Sequence, residues 1–375
     1  MRIKIINSLF LIAFLAMITL PLIRIDPNTG RTSMTENRML TDPPVMSVLF
    51  SQPAKFVQQF EEWFSDSIGF REQLIGLQKK IEGLNNPVQY TDGSYIYLNG
   101  EQGHRYFAYT DGWMIGKFQG KELLSKEQLS TLADALNDVH QYLDKRGIPM
   151  IMLISLDKDS VYPEYYPKSI IRGAEPIQVD IITKYLQDYT DIDVYNIRER
   201  LTEEKEDYPS FNRAHGDLTH YNDIGAFLEY LELMEHLNFH FSEMVPYTFD
   251  DVTIIYDEKE IPILSLKQDA PYVQLDASFF DNIEVERPFS WEQMAFENED
   301  KTLPTILFMR DSYTNGFIKY IAPHFGKTIA IHYSNMENFK EYVDLYKPDI
   351  IVFEAAERQL KGFASRMINF YKKQF

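Results

Sequence analysis

From Thr305 onward the sequence alternates in a rhythm that few folds can satisfy. Apolar runs at 305–309, 328–332 and 349–353 have the length and continuity of buried strands. Helix-compatible stretches follow them at 314–322, 336–346 and 361–372. Strands joined through helices run parallel, because the helix carries the chain back to the edge where the first strand began. The same rhythm stands earlier in the chain. An amphipathic helix over 123–143 is ended by Gly147, and an apolar run at 148–154 follows. Then come a helix at 177–186, a strand at 193–197 and a helix at 224–237 with Asn222 or Asp223 as its cap. The expected fold is an α/β parallel sheet flanked by helices. Between the two stretches, residues 241–300 carry short strand-like pieces at 253–256, 261–264 and 272–275 between acidic turns, which read as a β-rich insertion. Further forward, Tyr95–Leu98 and Gly112–Gly116 read as strands. Residues 56–64 carry apolar side chains at helical spacing, and a helical pattern continues over 70–81.

Ligands of such folds sit at the carboxyl ends of the strands. Ser312, Asn335 and Glu357-Arg358 all follow strand ends there. Ser312 stands out, because it lies on the turn between the strand 305–309 and the helix that follows. A serine on a sharp strand-to-helix turn has its hydroxyl lifted out of the core. It also sits where free helix N–H groups favour a developing negative charge.

A serine nucleophile needs a base. Gly216-Asp-Leu-Thr-His-Tyr-Asn222 supplies Asp217 and His220 in a loop just before a helix. At that spacing a carboxylate can take the imidazole Nδ1–H while Nε2 faces a serine. His236 and His240 are four apart, but no third ligand stands at useful spacing, so no metal site and no cofactor are expected.

The N-terminus points to a membrane. Ile5–Ile23 is almost wholly apolar, preceded by Arg2 and Lys4. At about 1.5 Å per residue this run just crosses a hydrocarbon core of roughly 30 Å. The basic flank keeps the N-terminus in the cytoplasm and the body outside. No small-x-small site follows the run, so an uncleaved anchor is the reading and a cleaved signal the alternative. A formal charge of −19 and the lack of a basic stripe argue against nucleic acid as a partner. The absence of cysteine excludes disulfides and thiolate chemistry. Three parts are expected: an anchor or uncleaved signal over 1–25, a juxtamembrane and helical segment over 26–95, and a catalytic domain over 96–375 that contains the insertion.

Several motifs together resemble one family. They are the strand-Arg310-Asp-Ser-Tyr313 turn, Asp217-x-x-His220 before a Gly-Ala helix, and Lys158-Asp-Ser-Val-Tyr-Pro163 at a strand end. Glu36-Asn-Arg-Met-Leu40, Phe70-Arg71, Asp111-Gly-Trp113 and Pro348–Arg358 add to them. The chain is similar to the alginate O-acetyltransferase-type (AlgX/AlgJ-like, DHHW) branch of the SGNH hydrolases, from about residue 36 onward outside the insertion. In that branch the motif order is circularly permuted, with the Asp/His block before the serine block, as here. The resemblance implies Ser312 as nucleophile, His220 as base and Asp217 as the acid that orients it. It implies O-acetylation of an exported or cell-wall polysaccharide, with the acetyl group handed over by a membrane-bound O-acyltransferase.

The family commonly spaces the pair Asp-x-His and follows it with Trp. Here Leu218 takes the acid position of that pattern and Tyr221 the Trp position. Arg310 stands where the superfamily usually has Gly. For the oxyanion or substrate the candidates are the backbone N–H of Ser312 and the side chains of Arg310, Asn335, Arg358, Tyr313 and Lys158. An acetyl esterase using the same residues is the nearest alternative function. A non-catalytic polysaccharide-binding or assembly protein, with Trp113 and Trp291 stacking on sugars, is a third.

Overall fold

A computed structural model describes residues 38–71, 88–91, 95–109, 113–121, 124–268, 271–280 and 293–374, with Gln73 and a few isolated positions nearer the N-terminus. The chain divides into two compact units, 1–87 and 88–375.

In the first unit, helix α1 (Met46–Ser51) is followed by α2 (Pro53–Ser67), whose proline opens the helix where no N–H is needed. The expected apolar stripe forms on α2. Phe56 stacks on Phe60 and Phe60 on Phe64, with ring centroids 6.3 and 5.9 Å apart. Most of the helical pattern expected over 70–81 lies outside the described residues, as does most of the apolar run 5–23. Among the described residues no helix is long and apolar enough to cross a membrane.

The second unit is built on one seven-stranded sheet. Ahead of it stands a small antiparallel sheet of β1 (Val88–Thr91), β2 (Tyr95–Asn99) and β3 (Arg105–Phe107). Then follow α3 (Trp113–Phe118), α4 (Lys126–Asp144), β4 (Met150–Ser155), α5 (Lys158–Val161), α6 (Gln178–Tyr189), β5 (Asp193–Asn196), α7 (Arg198–Glu204) and α8 (Asp223–Asn238). A hairpin, β6 (Val252–Tyr256) and β7 (Pro262–Leu266), precedes β8 (Tyr272–Gln274) and β9 (Met294–Asn298). The chain closes with β10 (Thr305–Arg310), α9 (Thr314–Ile321), β11 (Lys327–His332), α10 (Phe339–Tyr346), β12 (Ile350–Ala356) and α11 (Leu360–Gln374).

The strand order is β8-β9-β11-β10-β12-β4-β5. The five strands from β11 to β5 are parallel, and β8 and β9 add an antiparallel edge. The strands expected from 305 onward are therefore parallel neighbours, with Phe308 paired to Ala330 on one side and Val352 on the other. Strands β4 and β12 are buried along their whole length, which is why they read as unbroken apolar runs. From β10 the chain steps to β11 on one side and then returns to β12 on the other. That reversal opens a crevice at the carboxyl end of β10, where Ser312 stands.

Three expectations need correction. Of the strand expected over 112–116, Gly112 lies outside the described residues and the rest is not a strand: Trp113–Phe118 is helical and buries Met114, Lys117 and Phe118, an i, i+3, i+4 face that overrides the short apolar run. The stretch from 336 begins as a 3₁₀ turn over Tyr333–Asn338 before α10 starts. Nor do the β pieces of 241–300 form one self-contained insertion. Among the described residues the hairpin β6–β7 pairs only with itself, whereas β8 and β9 extend the main sheet.

The start of α8 is packed without slack. Asn222 caps it by accepting from the Gly225 N–H, and the Asn222 side chain donates to Pro209 O at 2.8 Å. A Cβ at Gly225 would lie 2.4 Å from Ser210 O. In an open helix Gly→Ala stabilises by about 1 kcal/mol. Here Gly225→Ala is expected to destabilise by about 1–3 kcal/mol, because it drives the 209–211 backbone away. A urea melt should show a lower midpoint with unchanged slope, and a raised midpoint would mean that the loop yields freely.

Candidate active site

Two loops meet at the carboxyl end of the sheet. One is Asp311-Ser312-Tyr313, between β10 and α9. The other runs from Pro209 to Asn222, ahead of α8. His220 Nε2 lies 2.7 Å from Ser312 Oγ. His220 Nδ1 lies 2.7 Å from Asp217 Oδ2. The carboxylate that meets the imidazole is thus three residues before it, and Leu218 is turned into the body. Asp223 is elsewhere, accepting from Leu264 N and Lys319. Burial alone would raise the Asp217 carboxyl, but hydrogen bonds from His220, the Thr219 hydroxyl and the Thr219 N–H outweigh it and hold it well below the usual carboxylate range. Asp217 is therefore anionic at neutral pH and keeps the proton of a neutral imidazole on Nδ1, so Nε2 is free to accept from serine.

The cavity over Ser312 is about 310 Å³, and Asp217, His220, Tyr221, Tyr313, Asn315 and Gly316 line it with Ser312. The Ser312 N–H does not face it freely: it donates to Asp311 Oδ1, which also stands 2.8 Å from Ser312 Oγ. Asn315, exposed on the first turn of α9, is a lining amide that sequence reasoning passed over. Its signal was its position, three residues past the serine and on the same helical face.

The other candidates separate into different places. Tyr313 is at the site. It is buried, its ring stands edge-on to His220 at 5.0 Å, and its hydroxyl donates to Thr219 O at 3.1 Å. Arg358 lies behind the site as a brace. Its Nη1 reaches Asp157 Oδ1 at 2.7 Å, Thr219 O at 2.9 Å and the Tyr313 hydroxyl at 3.0 Å. Arg310 is fully buried and donates to Asp311 O, inside the turn rather than in the cavity. Asn335 is buried in the turn after β11, near His332 O, and does not line the cavity. Lys158 donates to the carbonyls of Arg105, Asn212 and Arg213 at 2.9, 2.6 and 3.0 Å, so it ties down the 212–213 backbone rather than reaching Ser312. Burial, then the Arg213 guanidinium, bring its ammonium down to about 7. His236 bonds Asp193 at 2.7 Å and stacks on Tyr195, so it is a packing residue. Trp291 lies outside the described residues.

The support for these loops is a set of buried charges that sequence reasoning missed. Glu354 Oε2 accepts from Asp311 N and Thr314 Oγ1, both at 2.8 Å, and Oε1 from Ser155 Oγ at 2.9 Å. It holds both ends of the serine turn from the neighbouring strand. Glu357 Oε2 accepts from Asp157 N at 3.1 Å, and Lys117 Nζ lies 2.9 Å from Asp157, 3.1 Å from Asp159 and 3.2 Å from Glu357. The one sequence signal was a glutamate inside an otherwise apolar strand, Ile350–Ala356. Such a residue is kept only where hydrogen bonds or a partner charge receive it.

The molecule is thus a parallel-sheet α/β protein with a serine–histidine–aspartate constellation at the carboxyl edge of its central strand. No protein-family model and no curated protein matches the sequence. Among solved structures, a DHHW family protein from Eubacterium siraeum matches with a TM-score of 0.52 at 11% identity, over 75% of this chain and 97% of that one. Bacillus cereus PatB1 matches with a TM-score of 0.53 at 13% identity, over 74% of this chain and 99% of that one. PatB1 with a sulfonyl adduct gives a TM-score of 0.53 at 12% identity, over 76% of this chain and 98% of that one. The chain therefore shares the fold of the DHHW branch that its motifs resemble.

Glu354 makes a prediction about pH. Burial, then Asp311, raise its carboxyl from the ordinary 4.5 to about 7. In that window the folded chain holds a proton that the unfolded chain has released. Its contribution to stability is therefore complete below 4.5 and is lost as pH rises to about 7. Glu354→Gln keeps the two bonds to one oxygen, reverses the third so that its amide N–H donates to Ser155 Oγ, and should flatten that part of the melting-temperature profile. Glu354→Ala leaves the buried Asp311 N–H without its acceptor and should cost about 1–3 kcal/mol. Identical pH profiles for wild type and Glu354→Gln would show that Glu354 does not titrate there.

Proposed function

We propose that the protein is an O-acetyltransferase of SGNH type that acts through an acyl-serine on Ser312 and passes the acetyl group to a hydroxyl of an exported or cell-wall polysaccharide. The observation that carries the reading is the single imidazole that stands 2.7 Å from both a serine hydroxyl and a carboxylate. Serine is a weak nucleophile until an adjacent base takes its proton, and this is the geometry that does so.

In the first half-reaction His220 Nε2 accepts the Ser312 proton as Oγ attacks the acetyl carbonyl, and Asp217 stabilises the imidazolium. The imidazolium returns the proton to the leaving group, and Ser312 is left acetylated. In the second, a sugar hydroxyl gives its proton to Nε2 while its oxygen attacks the acetyl carbon, and Ser312 recovers its proton from the imidazolium. The exposed Asn315 amide is the donor we assign to the oxyanion. The Ser312 N–H joins it when Asp311 gives up that contact. With water in place of the sugar the same residues make an esterase. His220 and Asp217 are 28% and 52% exposed, so water reaches the base, and the balance of transfer and hydrolysis depends on the acceptor.

The sequence supports a place for this chemistry. The apolar run 5–23 behind Arg2 and Lys4 would hold the body on the outer side of the membrane, beside a membrane-bound O-acyltransferase that supplies the acetyl group. A fusion reporter at the C-terminus should be active outside the cytoplasm, and the protein should sediment with membranes. Intact protein in the cytosolic fraction would refute the anchor.

The nucleophile is tested with the purified full chain and p-nitrophenyl acetate. Intact mass should show one acetyl adduct on wild type and none on Ser312→Ala. Asp217→Asn should slow adduct formation by orders of magnitude, since it loses the tautomer that frees Nε2. As a mere helix-turn residue Ser312 would cost about 1 kcal/mol on substitution and leave activity intact. An adduct retained in Ser312→Ala would move the nucleophile elsewhere, and wild-type activity in Asp217→Asn would remove Asp217 from the mechanism.

A further inference from the structure

The loop that carries His220 separates two cavities. On one side is the 310 Å³ space over Ser312, at the bottom of the usual size range of small-molecule sites. On the other is a larger one of about 720 Å³. The wall between them is one backbone segment. Asn212, His215 and Asn222 line the larger cavity, and Asp217, His220 and Tyr221 line the smaller. Asn212 Nδ2 donates to Asp217 O at 3.0 Å, so a side chain of one cavity holds the backbone of the other.

The chemistry of the larger cavity is that of a sugar site rather than of an acyl chain. His104, Tyr165 and Tyr256 line it together with the cations Lys205, Arg213 and Lys259 and the acids Glu206 and Glu260. His104 stacks on Tyr165 with centroids 4.2 Å apart, which makes a rigid aromatic platform. Such rings offer an apolar face and a polar edge, which suits the alternating C–H and hydroxyl surface of a pyranose. Two polar atoms of the lining residues, Asn212 Oδ1 and His104 Nδ1, are buried and have no hydrogen-bond partner among the described residues. A buried polar atom is retained without a partner at a cost, and a ligand hydroxyl removes that cost once the side chain turns toward the cavity.

The outer wall is the hairpin β6–β7, which pairs with no other strand among the described residues. Its turn brings Tyr256, which is 57% exposed, Lys259 and Ile261 to the cavity. Its attachment is at the base of α8, where Leu264 N donates to Asp223 at 2.9 Å. Ile261 also sits over Gly216, where a Cβ would fall 2.6 Å from its Cδ1 and where φ is +72°. The hairpin thus leans on the residue next to Asp217.

Resting on the transferase reading above, we propose that the larger cavity is an acceptor subsite. It holds the sugar units flanking the one acetylated at Ser312, and the β6–β7 hairpin is the module that selects them. The test reads binding directly, so it does not depend on turnover. Calorimetry on the full chain uses three probes: a neutral β-linked glucan hexasaccharide, an N-acetylhexosamine hexasaccharide and a hexauronate. The proposal expects at least one to bind to wild type and to Ser312→Ala alike. Tyr256→Ala should weaken it by about tenfold or more. Tyr189→Ala, an exposed tyrosine at the amino edge of the sheet, should leave it unchanged. Lys259→Ala should weaken the hexauronate more than the neutral probes. With the acetyl donor present, Tyr256→Ala should raise the acceptor KM far more than it lowers kcat. Glycan binding that Tyr256→Ala does not weaken, or no binding of any probe to wild type, overturns the subsite. Tyr256-dependent binding without an acetyl adduct on Ser312 supports the subsite and removes the transferase reading. An adduct without Tyr256-dependent binding does the reverse.

Discussion

The contact on which the site depends is the buried pair of Arg358 and Asp157. Each comes from just past the end of a parallel strand, β12 for the arginine and β4 for the aspartate. Neither end is directly attached to the catalytic loops. The guanidinium Nη1 joins them, since it also holds Thr219 O, between Asp217 and His220, and the hydroxyl of Tyr313, next to Ser312. One cation therefore ties the His220 loop to the Ser312 turn. Burial works against both charges, but Lys117 and Arg358 together hold the Asp157 carboxyl below its ordinary value, and the arginine stays charged. A buried pair of this kind adds little net stability relative to apolar packing, yet loss of either partner strands a charge at a cost of about 3–5 kcal/mol. Its value here lies in geometry.

Around that joint the structure separates rigid from accessible parts. Glu354 fixes the serine turn from the core side, while His220 and Asp217 stand in a loop open to solvent. A nucleophile gains from being held still, because small displacements of the reacting atoms are costly to rate. In the proposed reaction His220 would meet two partners in turn, a leaving group and an acceptor hydroxyl, and its exposed position fits that role. Asp311 adds to the hold on the serine turn: its carboxylate accepts from the Ser312 N–H, the backbone donor nearest the serine hydroxyl.

The strand–helix alternation was legible because periodicity is a local property, and buried parallel strands have to be apolar throughout. The serine turn and the capped helix after Asn222 were legible for the same reason. Trp113–Phe118 fits either period as a short apolar run, and its buried face of Met114, Lys117 and Phe118 is that of a helix. The edge strands β8 and β9 were read as part of an insertion because nothing local shows which sheet a short strand joins.

The sequence by itself thus determined the sheet, the carboxyl edge as the place for chemistry, and Ser312 and His220 as residues presented there. The structure pairs the imidazole with Asp217, the carboxylate that the spacing before α8 had singled out. It also turned Arg358 into a brace, Lys158 into a backbone tie and Arg310 and Asn335 into buried turn residues. The physical reason is distance along the chain. Asp157 and Arg358 are 201 residues apart, and His220 and Ser312 are 92 apart. Whether such groups touch is decided by strand order and burial, which no local pattern of residues encodes.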